Sequence, residues 1–165
     1  AATKMIEEMA QSSESGDPPV EVTTSPKGVT IGISSDISFE SGSATTKPGF
    51  VEILKKIVPT IEESYFMIAV EGHTDSDPLP KNLRIKYPSN WELSGARASA
   101  VVRLLIDLKV DPVRLQSVGY GEFVPRDKNT AEIITADLIQ KYNSTPQQKS
   151  RNRRVEITFL APNEL

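Results

Sequence analysis

Between residues 50 and 61 the apolar positions Phe50, Val51, Leu54, Ile57, Val58 and Ile61 recur every three or four residues, the spacing that lines one face of a helix. Pro48 stands just before this stripe, where its missing N–H costs little, so a helix opens there and is bent or ended at Pro59. Residues 65–70 form a continuous apolar run too short for a helix of its own, which predicts a strand covered on both faces. A second helical stripe, Leu93, Val101, Leu104, Leu105 and Leu108, follows Ser89-x-x-Glu92, a capping-box pattern. This predicts a helix reaching Asp107 or beyond, with Arg97 in an early turn.

Shorter signals frame these elements. Residues 20–24 and 29–33 alternate apolar and polar positions across Ser25-Pro26-Lys27-Gly28, which suits a hairpin or a strand with a preceding arm. Val110-Asp111-Pro112 restarts the chain, residues 115–118 read as a short strand, and Val155, Ile157 and Phe159 alternate in a final one. The order predicts an α/β fold: a two-layer sandwich in which a mixed sheet carries helices mainly on one face. Ala131, Ile134, Leu138 and Tyr142 share one helical face, predicting a helical insertion near residues 128–148. Residues 1–19 are a polar lead-in, where Ile6 and Met9 hint at a short helix before a Ser-, Gly- and Pro-rich stretch; they read as a linker, and residues 20–165 as one domain.

Composition narrows the function. A chain of 165 residues with 38% hydrophobic and 25% charged positions can bury one sizeable core. No apolar run approaches the ~18 residues of a membrane helix, and the first residues lack the basic and apolar regions of a signal peptide, so neither a span nor export is expected from these residues. A net charge of -3 argues against a duplex nucleic-acid partner, although Lys149, Arg151, Arg153 and Arg154 form a local basic cluster. The absence of cysteine removes disulfides, thiol catalysis and thiolate metal sites together.

The candidate chemistry centres on Asp75, at the predicted end of a strand, and Arg97, on the helix that follows. Arginine presents a planar fork to a carboxylate and aspartate accepts from an ammonium, so the pair suits a small zwitterion. The plainer alternative is an ion pair joining strand to helix. His73 is the only histidine; without several converging carboxylates it reads as a buried structural residue rather than a zinc ligand, and no metal or cofactor is expected. A Ser94/His73/Asp75 hydrolase lacks a Gly-x-Ser-x-Gly or other nucleophile setting. Trp91 reads as a residue that seals packing at a helix start.

Three motifs occur in order: a strand ending in Gly72-His73-Thr74-Asp75, then Asn90-x-x-Leu93-Ser94-x-x-Arg97-Ala98, and Asn152-Arg153-Arg154-Val155-Glu156-Ile157. Together they resemble the OmpA-like peptidoglycan-binding domain over roughly residues 20–160. Within that family, residues 87–94 and the insertion from 76 to 88 look most like MotB and PomB, the stator B subunits of the flagellar motor.

The resemblance implies a non-catalytic module whose ligand is the diaminopimelate of the peptidoglycan stem peptide. Arg97 matches the family's ligand for the diaminopimelate carboxylate, Asp75 its partner for the ammonium, and Thr74 and Asn90 neighbours that add hydrogen bonds. Phe39 and Glu40 match the loop after the first strand, which contributes backbone groups to the pocket wall. The family's usual arginine three residues before Asn152 is Lys149 here, a point charge with poorer directional bonding. Arg153 and Arg154 are read as salt-bridging surface carboxylates. The resemblance further implies a periplasmic domain of an inner-membrane protein, a homodimer, a stator A subunit of MotA or PomA type as partner, and an N-terminal segment that controls access to the wall. The alternatives are a peptidoglycan hydrolase or amidase, and an OmpA- or Pal-type envelope tether unrelated to motility.

Overall fold

The hairpin forms at the start of the domain in the computed structural model of the protein, which describes residues 19–162. Strands β1 (Val20–Ser25) and β2 (Gly28–Ser34) pair antiparallel with Val20 opposite Ile33. A short helix α1 (Ser35–Ser38) leads to Phe39, and α2 (Pro48–Glu62) then crosses to β3 (Ile68–His73). Helix α3 (Asn90–Asp107) connects β3 to the parallel strand β4 (Leu115–Gly119); α4 (Ala136–Lys141) and α5 (Pro146–Asn152) precede the last strand, β5 (Arg154–Leu160). The sheet order is β1-β2-β5-β3-β4, so the last strand inserts between the hairpin and β3, antiparallel to both.

Side-chain alternation assigns the two faces of the sheet. Ile31, Ile33, Ile68, Val70, Val155 and Ile157 point to one side, where Phe50, Leu54 and Ile57 of α2 and Ala98, Val101 and Leu105 of α3 complete a fully buried core. The opposite face carries Glu71, His73, Arg154 and Glu156, polar yet largely shielded from solvent. The mixed sheet with its helical layer is the architecture the periodicities predict. No helix among the described residues is long and apolar enough to cross a membrane.

Three elements differ from expectation for physical reasons. Helix α2 does not end at Pro59 but runs through it to Glu62, because Pro59 lies on the exposed side, where water can satisfy the carbonyl that loses its partner. The strand expected over 65–70 begins at Ile68; Tyr65 is fully exposed, and Arg114 holds the approach by donating to the Phe66 and Ile61 carbonyls at 2.8 and 3.0 Å. The insertion contains two short helices rather than one. An Asx turn at Asn129, whose side chain accepts from the Ala131 N–H, precedes Thr135, which starts α4 by accepting from the Leu138 N–H. Ile139 is the buried residue of α4, while Ile133 and Ile134 of the expected stretch are exposed. The expectations for residues 1–18 lie outside the described residues.

Candidate functional site

The ends of β2 and β3, the start of α3 and the turn before β5 meet at one edge of the sheet and enclose a cleft of ≈ 480 Å³. Close approach of backbone fixes this meeting. A Cβ on Gly72 would stand 2.2 Å from the Ser94 carbonyl oxygen, so only glycine lets α3 lie this near β3. Ser89 caps α3, with Glu92 reaching back to the Ser89 N–H at 2.8 Å, which sets where Asn90 and Arg97 emerge.

The 76–88 loop makes the outer wall. Leu79 and Tyr87 pack on Leu93 as a small second core, and Gly42, at φ +61°, lets the loop after α1 pass under Leu83. The insertion supports the same wall from behind: the buried Asn143 accepts from the Ser76 N–H at 3.2 Å and from Asn152 Nδ2 at 3.0 Å.

Arg97 is buried, and its Nε donates to the Ser43 carbonyl at 2.8 Å while Nη2 lies 3.5 Å from that of Glu40. Its guanidinium sits 5.0 Å above the Phe39 ring. Among the described residues no carboxylate is in ion-pair contact with it, and burial pushes its pKa down to about 10. Asp75 is held elsewhere: its Oδ1 accepts from the Asp77 N–H at 2.9 Å, and its Oδ2 from Arg153 Nη1 at 2.7 Å. Arg153 also donates from Nε to Asp36 at 2.9 Å, an arrangement that raises its own pKa and lowers that of Asp36.

Of the residues singled out in the sequence, Phe39, Thr74, Asp75, Asn90 and Arg97 line the cleft. Asn90 donates to the Asp75 and Asp77 carbonyls at 3.3 and 3.1 Å, and the Thr74 hydroxyl to the Asp75 carbonyl at 2.8 Å, so both shape the loop. Glu40 contributes its carbonyl and leaves its side chain exposed; Lys149 pairs with Asp77 at 3.0 Å on the rim.

The expectations for Arg153 and Arg154 are corrected. Arg153 is not a mere surface partner but joins Asp36 and Asp75 inside the cleft, and Arg154 is buried, donating to Glu156 at 2.7 Å. Their places follow from β5 pairing in register with β3, His73 opposite Arg154, which no local pattern reveals. Asp36 was missed as well; the Ser34 side chain capping α1 was its available signal.

Ser94 Oγ donates to the Trp91 carbonyl at 3.1 Å and accepts from the Gly121 N–H at 3.0 Å, so it ties α3 to the segment after β4 instead of facing His73 as a nucleophile would. Trp91 does not seal the interior: it is half exposed and stacks on Phe123 with ring centroids 5.0 Å apart.

Comparison with known proteins gives a consistent picture. Residues 38–137 match the OmpA family. The chain is 33% identical to the uncharacterized protein YtxE of Bacillus subtilis over 81% of its length, and 32% identical to Motility protein B of the same organism over 86%; in each case the match spans 48% of the relative, so the chain covers about half the length of these curated proteins. Among solved structures, the cell wall anchor of the T6SS from Pseudomonas aeruginosa superposes with a TM-score of 0.76 at 27% identity, covering 98% of this chain and 97% of that one.

Proposed function

The chain belongs to the OmpA family, and from that premise we propose that it is a non-catalytic module which anchors a longer envelope protein to peptidoglycan. The observation that carries this reading is the buried Arg97 guanidinium, set on the Phe39 ring with only carbonyls for partners, in the same cleft as the Asp75 carboxylate. A buried cation without a counter-ion is expensive, and a ligand carboxylate would offset that cost with two parallel hydrogen bonds. Diaminopimelate, whose side-chain end bears a carboxylate beside an ammonium, fits this chemistry: Arg97 takes the carboxylate and Asp75 the ammonium. Thr74, Asn90 and the carbonyls of Ser43 and Glu40 hold the two in place, while Lys149 biases the rim.

Within this reading the longer protein is a flagellar stator B subunit. The likeness to Motility protein B and the 76–88 wall support that assignment. Residues 1–19 are then the linker to a membrane segment, the 20–165 domain lies in the periplasm, and the unit works as a homodimer beside a stator A subunit. Linked copies gain effective concentration on the wall, which suits an anchor under load. A second reading, an anchor of secretion or lipoprotein type, draws on the match to the T6SS cell wall anchor over nearly the whole of both chains.

Co-sedimentation with diaminopimelate-type peptidoglycan tests the shared claim. The folded chain should pellet with the wall and Arg97→Ala should not. Failure of the intact chain to bind, or release of soluble wall fragments, would overturn it. Complementation of a stator B deletion by a chimera carrying this domain separates the two anchors, because only a stator domain restores swimming.

A further inference from the structure

The sheet face opposite the helices holds a second constellation, remote from the wall-binding chemistry in what it offers. Glu71 on β3 stands directly opposite Glu156 on β5, and His73 opposite Arg154. Like charges directly opposite on neighbouring strands repel, so this register needs cations near it. Lys27 and Arg154 supply two, each bonding one oxygen of its glutamate: Lys27 Nζ lies 2.6 Å from Glu71 Oε1, and Arg154 Nε 2.7 Å from Glu156 Oε1. His73, 2% exposed and stacked on Tyr120 at 5.2 Å, has no hydrogen-bond partner at either ring nitrogen.

An imidazole buried with both nitrogens unsatisfied calls for an explanation. Its Nε2 lies 3.5 Å from Glu156 Oε2, beyond the ~2.7–3.2 Å of a well-formed N–H···O hydrogen bond. Two ligands ~2.0–2.1 Å from a shared tetrahedral ion stand about 3.4 Å apart, so the spacing is that of two donors flanking a metal. One donor atom each from Glu71, His73 and Glu156 lie within 4.8 Å of one another.

We infer that Glu71, His73 and Glu156 form a binding site for a divalent transition-metal ion of the zinc class, clamping β3 to β5, with the Lys27 ammonium as its competitor. Arg154 plays the supporting part that such sites require: it holds one oxygen of Glu156 and so leaves the other turned to the imidazole. The Lys27 side chain is 42% exposed and can withdraw into solvent, which opens the route for the ion. Zinc accepts imidazole and carboxylate ligands with a fourth position filled by water, and three protein donors are the usual number for such an open site.

The test is titration of the 165-residue chain with Zn²⁺ against a competing chromophoric chelator, with melting temperature followed in parallel. The wild type should take up one equivalent and melt at higher temperature with the ion. Lys27→Met, which removes the competitor from an exposed position, should bind about tenfold more tightly, and His73→Gln at least tenfold more weakly. Circular dichroism establishes that each variant is folded, and Glu71→Gln replaces His73→Gln should the latter unfold. Absence of uptake by both wild type and Lys27→Met, or undiminished uptake by a folded His73→Gln, would overturn the inference. Wall binding by the same variants should be unchanged, so failure here is distinct from failure of the anchor.

Discussion

Arg153 Nη1 lies 2.7 Å from Asp75 Oδ2, while Arg97, the cation expected beside that aspartate, is directed at the Ser43 carbonyl at 2.8 Å. The cleft therefore keeps its two arginines in different electrostatic conditions. Arg153 is neutralised by Asp36 and Asp75; Arg97 is buried with carbonyls as its hydrogen-bond partners.

Arg97→Lys keeps a cation but loses the fork and its seat on Phe39. Affinity for a diaminopimelate-containing peptide should fall by about 1.5–3 kcal/mol, roughly tenfold to a hundredfold, with little change in fold. Calorimetry of the two proteins with one synthetic stem peptide measures this directly. Equal affinities would remove Arg97 from the carboxylate role.

Asp75→Asn should weaken the same peptide by a comparable factor, and the effect should depend on the free side-chain amine. Acetylating that amine should then weaken wild-type binding and make little further difference to the variant. Additive losses would show that Asp75 does not receive the ammonium.

Asp36 titrates with a definite sign. Burial alone would raise its pKa, but hydrogen bonds from Arg153 and Ser150 outweigh it and hold the folded value below the ordinary 3.8. A depressed folded pKa stabilises the native state above the unfolded value and ceases to do so as pH falls through the folded one. The stability advantage of wild type over Asp36→Asn should be constant near neutrality, begin to decline near pH 4 and vanish only below the depressed folded pKa. Urea midpoints across that range provide the check, and an advantage that grows on acidification would refute it.

Gly72→Ala should be among the most damaging small substitutions. The added methyl would stand 2.2 Å from the Ser94 carbonyl oxygen, a backbone atom that cannot swing aside, so α3 must move. A cost of roughly 1–3 kcal/mol follows from such overpacking, with Arg97 displaced along with the helix. Thermal unfolding and peptide affinity should both decline; loss of neither would mean that the contact is easily relieved.

Leu79→Ala removes a large part of the small core under the cleft wall, which is separate from the main one. Amide exchange should accelerate over 76–88 and leave β3 and β5 protected. Uniform acceleration across the sheet would show instead that the wall and main core unfold together.

Much of this was legible along the chain because it is local. Helix α2 carries an unbroken 3.6-residue stripe, α3 a stripe interrupted by Ser94 and Arg97 but announced by its capping box at Ser89 and Glu92, and β5 alternates. The ordered motifs around Asp75 and Arg97 point to the family, and with it to the cleft. The weaker boundaries were those where apolar residues lacked a partner: Tyr65 and Ile134 satisfy a pattern but face solvent, since a stripe is buried only where another element covers it.

What the chain by itself determined, then, was the set of elements, the α/β class and the residue types available to a zwitterion. Tertiary structure decided which charges meet. Inserting β5 between β2 and β3 brings Arg153 to Asp75 across 78 residues and sets Glu156 against Glu71 and His73. Those pairings depend on strand order and register, properties of non-local hydrogen bonding that hydrophobic periodicity does not encode. The same reason hid both the neutralised arginine of the cleft and the histidine–carboxylate cluster on the far face.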